Sequence, residues 1–444
     1  NEVYGCMDIG YSEYNPDANT DNGSCNTLSC LTNYEDYEMN PIFTLLDNAG
    51  YDEELTSVSL SNNGDVIAFG DPNGIFGVRI YKNINGDWLQ KGPSIMGSGT
   101  YYDEMGLQVS LSGDGNMVAA SAYNSEGVMF PNGQSYSSSQ GVVRLYAYNE
   151  DSDLWEQVGS TIEGLEPGEE AYHISLSRDG STLAVGAGNG SINYVQQSPS
   201  YSGPGYIRVY SVESNNLVLK GQIIANSDAN GISGISGKKI ALSSNGNVLV
   251  TGGSILEYNG SEWVPKGDIS LSVDGKAAIN DEGNRFMHFS QDWGYVEIYE
   301  YNNGNWNQMG EAIAGESNNF GISASMNSEG DRIIIASQDS ENSVSVFQYT
   351  NDDWIQIGQN VSIPGMSSNT PSVSLSGDGN IFANARTAKI ISIDSPCENE
   401  FIELVSGCID ETACNYDLDA TDDDGSCEYE SCVGCMDQTA CDYD

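Results

Sequence analysis

The chain has 444 residues, of which 64 are acidic and 15 are basic, so its formal net charge is −49. That charge repels nucleic-acid phosphates and anionic lipid surfaces, which excludes nucleic acid as an expected partner; it fits cation binding, a salt-rich environment or simply a well-solvated surface. The 51 glycines and 26 tyrosines indicate a folded, turn-rich β protein, and the sequence has no apolar run long enough to span a membrane.

The chain starts with a short module, residues 1–39, that is rich in cysteine and carboxylate. Its stretch GCMDIGYSEYNPDANTDNGSC places oxygen-bearing side chains at alternate positions, and Ca²⁺ takes six to eight oxygen ligands. The candidate calcium ligands are Asp8, Asn15, Asp17, Asn19 and Asp21. The spacing differs from that of an EF-hand, so the alternative is that these residues form Asx turns that hold a disulfide loop at the surface.

Residues 40–396 contain one phrase seven times, first as SLSNNGDVIAFG from Ser59 and last as SLSGDGNIFANA from Ser374. Each copy predicts a β-hairpin, because two apolar strands flank a turn at which glycine accepts a positive φ. The shared turn glycines are Gly64, Gly115, Gly180, Gly246, Gly283, Gly330 and Gly379.

Each repeat continues with further strand-like phrases. The second phrase, such as VRIYKN from Val78, alternates apolar and polar residues like a half-buried strand. A third phrase closes six of the seven units and usually carries a tryptophan, as in Trp88, Trp155, Trp263, Trp306 and Trp354. Four strands in each of seven units predict an all-β fold, a seven-bladed β-propeller. The recurrence of tryptophan predicts packing, with sugar stacking as the alternative, and Trp293, outside the pattern, is the aromatic candidate for ligand contact.

The seventh unit lacks a fourth strand. The segment NPIFTLLDNAG, residues 40–50, stands before the first repeat where such a strand would be expected. We therefore predict that the N-terminal strand completes the last blade, which would remove an exposed sheet edge.

A second module, residues 397–433, repeats the first with a constant offset of 402, and residues 434–444 begin a third copy, which predicts a longer polypeptide. Its candidate calcium ligands are Asp410, Asp417, Asp419 and Asp423. Asp422 and Asp424 lie in the same acidic run.

All ten cysteines lie in these modules, which predicts disulfides formed in an oxidising compartment. Zinc is the alternative, but only Cys432 and Cys435 have CxxC spacing. Ser12 stands where the second module has Cys414, so the first module has one unmatched cysteine. We predict that Cys30 pairs with Cys397 and locks the ring, and that the other pairs are Cys6 with Cys25, Cys408 with Cys427, and Cys414 with Cys432.

The pattern GCxDxxAxNYxxxAxxDDGSC resembles the short Cys/Asp repeats of secreted and surface proteins from marine bacteria and algae, and is distantly similar to thrombospondin type 3 calcium repeats. The SLSxDG units resemble the propeller repeats that accompany such modules and, more loosely, integrin-type FG-GAP blades. The resemblance implies an extracellular or cell-surface protein with Ca²⁺ in the modules. The Asp-rich loop of FG-GAP blades is absent, so no metal site is assigned to the blades.

Few other residues are candidates for chemistry. His173 and His288 lie in no motif, and the sequons at Asn189, Asn259 and Asn360 are possible glycosylation sites, whereas a fourth at Asn22 falls within the proposed calcium loop.

The sequence thus predicts a non-catalytic extracellular structural or adhesive protein, a protomer of a surface filament or hair, whose partners are copies of itself or surface glycans and proteins. The alternative is a carbohydrate-binding or polysaccharide-cleaving propeller with its site in the loops at one mouth of the ring.

Overall fold

The computed structural model describes most of the repeat region and short pieces of both ends. The described residues are 4–5, 20–21, 34, 37–45, 55–72, 77–97, 105–124, 128–129, 135–136, 140–165, 171–187, 205–225, 235, 237, 240–269, 271, 276–290, 294–315, 319–338, 342–363, 372–395, 406–407, 422–423 and 426. The repeat region, Tyr37–Ile393, forms one compact unit, and the two ends of the chain are assigned to a second.

The repeat region folds into seven antiparallel sheets, which we number as blades 1 to 7. The strands of blades 1, 2 and 3 are, in chain order, Ser57–Leu60, Val66–Asp71, Gly77–Ile84 and Asp87–Gln90; Val109–Leu111, Met117–Asn124, Gln140–Asn149 and Leu154–Glu163; Ala171–Leu176, Thr182–Ala187, Tyr206–Glu213 and Asn216–Leu219. Within the second-to-third loop of blade 2, Val128–Met129 pairs with Ser135–Tyr136.

The strands of blades 4, 5 and 6 are Ala241–Leu242, Val248–Val250, Ile255–Tyr258 and Trp263–Pro265; Lys276–Ile279, Arg285–Ser290, Tyr295–Asn302 and Asn305–Gln308; Phe320–Met326, Arg332–Ser337, Ser343–Thr350 and Asp353–Ser362. Blade 5 has a fifth short strand, Ile313–Ala314, which pairs with its third. In blade 7, Val373–Leu375, Ile381–Asn384 and Lys389–Asp394 are followed across the sheet by Glu38–Thr44 from the N-terminal side of the repeats.

The first strands line the inside of the array, because the first strand of every blade contacts the first strand of the next, and that of blade 7 contacts that of blade 1. The sequence prediction of a seven-bladed β-propeller is confirmed. The predicted turn glycines are confirmed as well: all seven have φ between +62° and +79°. At Gly115, a Cβ atom would also lie 2.5 Å from Cβ of Val66 in the preceding blade, so no side chain fits there.

The hydrophobic core lies between blades. Each of the apolar clusters draws its buried side chains from two successive blades, as in the cluster that joins Val78 and Ile80 of blade 1 to Val118 and Ala120 of blade 2. Equivalent clusters join blades 2 to 3, 3 to 4, 4 to 5, 5 to 6, and 7 to 1. Burial of apolar area, the main stabilising term in folding, therefore depends on neighbouring blades staying together.

The two Cys/Asp-rich modules share a local backbone arrangement. Tyr4–Gly5 pairs in parallel with Thr20–Asp21, and Ser406–Gly407 pairs in parallel with Asp422–Asp423. These positions are related by the same offset of 402 as the sequences. The repeated sequence therefore produces a repeated fold in the part of each module that the structure describes.

Candidate functional site

Most of the residues predicted to bind calcium or to form disulfides lie outside the described residues. These are Asp8, Asn15, Asp17, Asn19, Asp410, Asp417 and Asp419, together with all ten cysteines. The backbone of Asp21 and Asp423 is described, and each lies in the parallel pairing of its own module. Within the described part of the chain, no group of three or more His, Cys, Asp or Glu side chains could hold a metal ion.

The carboxylates of the repeated SLSxDG phrase stabilise turns. In blade 2, Ser112 Oγ donates to Asp114 Oδ1 at 2.5 Å and accepts the amide of Met117 at 2.9 Å. The same Asp114 oxygen accepts the amide of Asn116 at 2.9 Å. Burial raises the pKa of Asp114, but hydrogen bonds from Ser112 and Asn116 outweigh this effect and hold the pKa below its usual value. These carboxylates are therefore occupied by their own turns.

Backbone hydrogen bonds link the seven turns into a ring around the mouth of the central channel. Each bond runs from a turn of one blade to the turn of the next: Asn62 N to Gly113 O, Gly113 N to Arg178 O, Asp179 N to Ser244 O, Ser244 N to Asp281 O, Asp281 N to Ser328 O, Ser328 N to Gly377 O, and Asp378 N to Asn62 O. Their lengths lie between 2.6 and 3.1 Å. We call this face of the propeller the turn face.

Arg178 crosses the mouth on the turn face. From blade 3 its Nη1 donates to Asn62 Oδ1 of blade 1 at 2.9 Å, and its Nε lies 3.2 Å from Asp281 Oδ1 of blade 5. Burial holds the pKa of Arg178 below its usual value, although the nearby charges of Asp281 and Asp378 oppose this effect. With a fifth of the side chain exposed, this cation ties together three blades that are not sequence neighbours.

A second set of contacts joins the first strands. The first serine of the SLS phrase accepts the backbone amide of the following blade's leucine at 3.0 Å. We call these the inner serines: Ser59, Ser110, Ser175, Ser325 and Ser374. Blades 4 and 5 have Ala241 and Ala278 instead, and alanine has no hydroxyl to accept this bond. This role was not predicted from the sequence, although serine recurs at this position in five of the seven repeats.

The recurring tryptophans join the outer parts of neighbouring blades. The indole Nε1 of Trp155, Trp263, Trp306 and Trp354 donates at 2.7 to 3.0 Å to a carbonyl of the preceding blade. These four side chains are at most 9% exposed. They pack on a positive-φ glycine of that blade, as Trp263 does on Gly221. Such indoles offer no open face for a sugar, which supports the packing role predicted from the sequence. Trp293 lies outside the described residues.

Three of these contacts include a lysine. The Nζ atoms of Lys91, Lys220 and Lys266 lie 4.5 to 5.2 Å from the ring centroids of Tyr148, Tyr258 and Tyr301 in the next blade. Cations over aromatic rings contribute about 0.5–2 kcal/mol each. In blade 5, Met309 stands at this position, and its carbonyl accepts the indole of Trp354.

The cavity at Lys91 is an open groove of about 370 Å³ on the outer rim between blades 1 and 2. Lys91 is 7% exposed, and its Nζ donates to Gly115 O at 2.7 Å and to Asn116 Oδ1 at 2.6 Å. Burial lowers the pKa of Lys91 to about 8. Across the groove, a 2.5 Å hydrogen bond from Tyr148 to Asp153 raises the pKa of the tyrosine to about 12. Both groups are thus occupied within the fold.

The remaining candidates lie in ordinary strand and turn positions. Nδ1 of His173 lies 3.2 Å from Nε2 of Gln108, and His288 is 2% exposed within blade 5. Asn259 and Asn360 are both exposed, whereas Asn189 lies outside the described residues. The Oδ1 atom of Asn259 accepts the amide of Ser261 in a hairpin turn. Both described sequons are therefore accessible for modification.

No helix among the described residues has the length and apolar character needed to cross a membrane. Solved structures that align with this chain have low sequence identity to it. A chain of the mitotic checkpoint complex aligns with a TM-score of 0.51 and 16% identity over 83% of this chain and 94% of its own length. The β-propeller domain of Myceliophteria thermophila Cps50 (Swd1) aligns with a TM-score of 0.53 and 11% identity over 80% of this chain and 100% of its own length.

No family model matches the chain, and no curated protein matches it. At these identities, the similarity to solved structures establishes the β-propeller fold and nothing about activity.

Proposed function

We propose that the chain is a non-catalytic extracellular structural or adhesive protein, a protomer of a surface filament or hair. The observation that carries the proposal is that the conspicuous side chains of the described propeller hold blades together. Arg178, the inner serines and the buried tryptophans all make contacts between blades. Contacts between blades thus occur at the mouth, along the first strands and at the rim. This arrangement suits a rigid unit in a longer assembly.

In this proposal the Cys/Asp-rich modules are calcium-stiffened, disulfide-stapled connectors, and Glu38–Thr44 with the pair Cys30–Cys397 fastens the ring. Charge supports the connector role: all 15 Lys and Arg residues lie between Arg79 and Lys389, so both modules are purely acidic. A chain segment with carboxylates and no basic side chains repels itself unless cations neutralise it. Calcium would therefore convert a repulsive segment into a compact one.

The connector role is tested by thermal unfolding with and without Ca²⁺. We expect Ca²⁺ to raise the unfolding temperature of the modules. The variant Asp417→Asn with Asp419→Asn should lose the part of that increase that comes from the second module, because it removes two anionic ligands there. An equal response to Mg²⁺, or an unchanged response in the variant, would contradict calcium ligation. Non-reducing peptide mapping tests the four predicted disulfides in the same material.

The assembly role is tested by electron microscopy of the purified full-length chain in Ca²⁺. We expect end-to-end filaments whose repeat includes one propeller, and their disappearance when Ca²⁺ is chelated. Dispersed single particles under all calcium conditions would contradict the proposal. The alternative, a carbohydrate-binding or polysaccharide-cleaving propeller, would instead show binding in a screen of polysaccharides with the same preparation.

A further inference from the structure

The strand Glu38–Thr44 is attached to blade 7 differently from every other fourth strand of the described propeller. In blades 1 to 6, the fourth strand follows the third through a short hairpin turn, such as Asn303–Gly304 in blade 5. Glu38–Thr44 instead lies beside Lys389–Asp394, which comes from the opposite end of the repeats. Among these seven described strands, it alone can leave its sheet without opening a hairpin.

This strand is only partly buried in blade 7. None of its seven residues is buried, and four are exposed, including Ile42 with 39% of its surface accessible. Pro41 lies in its middle and has no amide hydrogen to donate. By contrast, the fourth strand of blade 6 buries Trp354 and Ile357. None of the strand's own side chains is therefore fully shielded from solvent while it is paired in blade 7.

Besides its backbone pairing with Lys389–Asp394, the strand has an aromatic contact. The ring of Phe43 lies 5.5 Å from that of Trp88 and 5.9 Å from that of Tyr81, both in blade 1. Just beyond the strand, the amide of Leu45 donates to Ala388 O at 2.9 Å. These interactions depend only on the sequence of the strand, so the same strand from a second copy would make them equally well.

The inner ring does not depend on this strand. Blade 7 is joined to blade 1 by the bond from Asp378 N to Asn62 O at 2.9 Å. Two serine contacts add to it: Leu60 N donates to Ser374 Oγ at 3.0 Å, and Val58 N donates to Ser372 Oγ at 3.3 Å. Without its own Glu38–Thr44, the propeller would keep the contacts that close its inner ring. The fourth-strand position of blade 7 would then be empty.

We propose that copies of this chain join by strand exchange, in which Glu38–Thr44 of one copy occupies blade 7 of the next. Exchange of an identical element has a low cost, because the interactions that the strand makes within its own chain are replaced by the same interactions between two chains. The predicted disulfide Cys30–Cys397 would then also form between copies. This inference rests on the proposed assembly function and specifies the contact that joins one copy to the next.

The length of the connection between the strand and blade 1 sets how far apart two exchanging copies can lie. Its nine residues, 46–54, lie outside the described residues, and a chain of that length can span about 30 Å when extended. Each copy donates one strand and accepts one, which is the requirement for an open head-to-tail chain.

The test uses two full-length variants, Asn40→Cys in unlabelled protein and Ser392→Cys in ¹⁵N-labelled protein. The two positions are adjacent in blade 7, where Ser392 Oγ lies 3.4 Å from Asn40 O. The variants are mixed, assembled in Ca²⁺, mildly oxidised and digested without reduction. Mass spectrometry then looks for a disulfide between the two introduced cysteines. We expect it in the assembled fraction, joining one labelled and one unlabelled peptide, because neither variant alone carries both cysteines.

Two controls make the result decisive. The double variant Asn40→Cys with Ser392→Cys in one chain must form the intrachain disulfide, and it is expected not to assemble because its strand is held in its own blade. A mixture of Asn302→Cys and Asn305→Cys, which pair directly across the hairpin of blade 5, should give no interchain disulfide.

Filaments without the mixed disulfide, or filaments from the locked double variant, would overturn strand exchange and leave the filament role standing. The mixed disulfide in discrete dimers without filaments would support exchange and count against the filament role. A mixed disulfide no more abundant than in the blade 5 control would also overturn exchange.

Discussion

Ser110→Ala tests whether the inner serines hold adjacent blades together. Ser110 Oγ accepts the amide of Leu176 at 3.0 Å, and Leu176 is only 4% exposed. The substitution removes the acceptor and leaves a buried amide without a partner. Such a group costs about 1–3 kcal/mol. Because Ser110 itself is half-buried and water can reach part of the site, we expect a decrease of about 1–2 kcal/mol in the free energy of unfolding.

The opposite change, adding an inner serine, can be made in blade 4. Ala241 stands where an inner serine would face the amide of Ile279, so Ala241→Ser should add the missing bond. A typical hydrogen bond contributes about 0.5–1.5 kcal/mol net, so we expect stabilisation in that range. Ser152→Ala, in an exposed turn of blade 2, is the matched control and should change little.

The assay is urea unfolding of the full-length chain at fixed pH and calcium concentration, followed by tryptophan fluorescence. The midpoint should fall for Ser110→Ala, rise for Ala241→Ser and stay constant for Ser152→Ala, with an unchanged denaturant dependence in all three. An unchanged midpoint in Ser110→Ala, or a lower midpoint in Ala241→Ser, would refute the assignment.

Three further predictions use the same assay. Arg178→Leu removes the interactions with Asn62 and Asp281 and should cost about 2 kcal/mol, as expected for hydrogen bonds to a charged group; an unaltered midpoint would contradict the bridging role. Trp263→Phe leaves the Lys220 carbonyl without its 2.8 Å donor and should cost about 2–4 kcal/mol, whereas a smaller effect than in Ser110→Ala would argue against the indole contact. Burial lowers the pKa of Lys91 from 10.5 to about 8, so the unfolded chain binds more protons between these values and stability should rise with pH in that window. Because the groove is open to water, which screens the charge, we expect a rise of about 1–2 kcal/mol from pH 7.5 to about pH 9.5. Lys91→Met, which copies the natural Met309, should flatten that rise, and an equally steep rise in the variant would contradict it.

Local sequence patterns were sufficient to identify the repeating unit of the fold. Gly64 and its six counterparts mark the turns because positive φ is a local requirement that glycine meets without steric cost, and such a requirement is visible in the sequence of each unit. Alternating apolar residues identify strands by the same local logic. Counting the units was then enough to predict seven blades.

Which side chains meet became clear only from the way the blades pack around the ring. Ser110 bonds a residue of the next blade, and Arg178 reaches blades 1 and 5 across the channel mouth. These partners are set by the curvature of the ring, which brings distant turns within hydrogen-bond distance and leaves no trace in local periodicity. In three units, a lysine precedes the glycine that ends the third phrase, and the structure places a tyrosine ring of the next blade over that lysine. The sequence did not predict this contact, because contacts between blades depend on how the sheets pack and not on the residues within any one sheet.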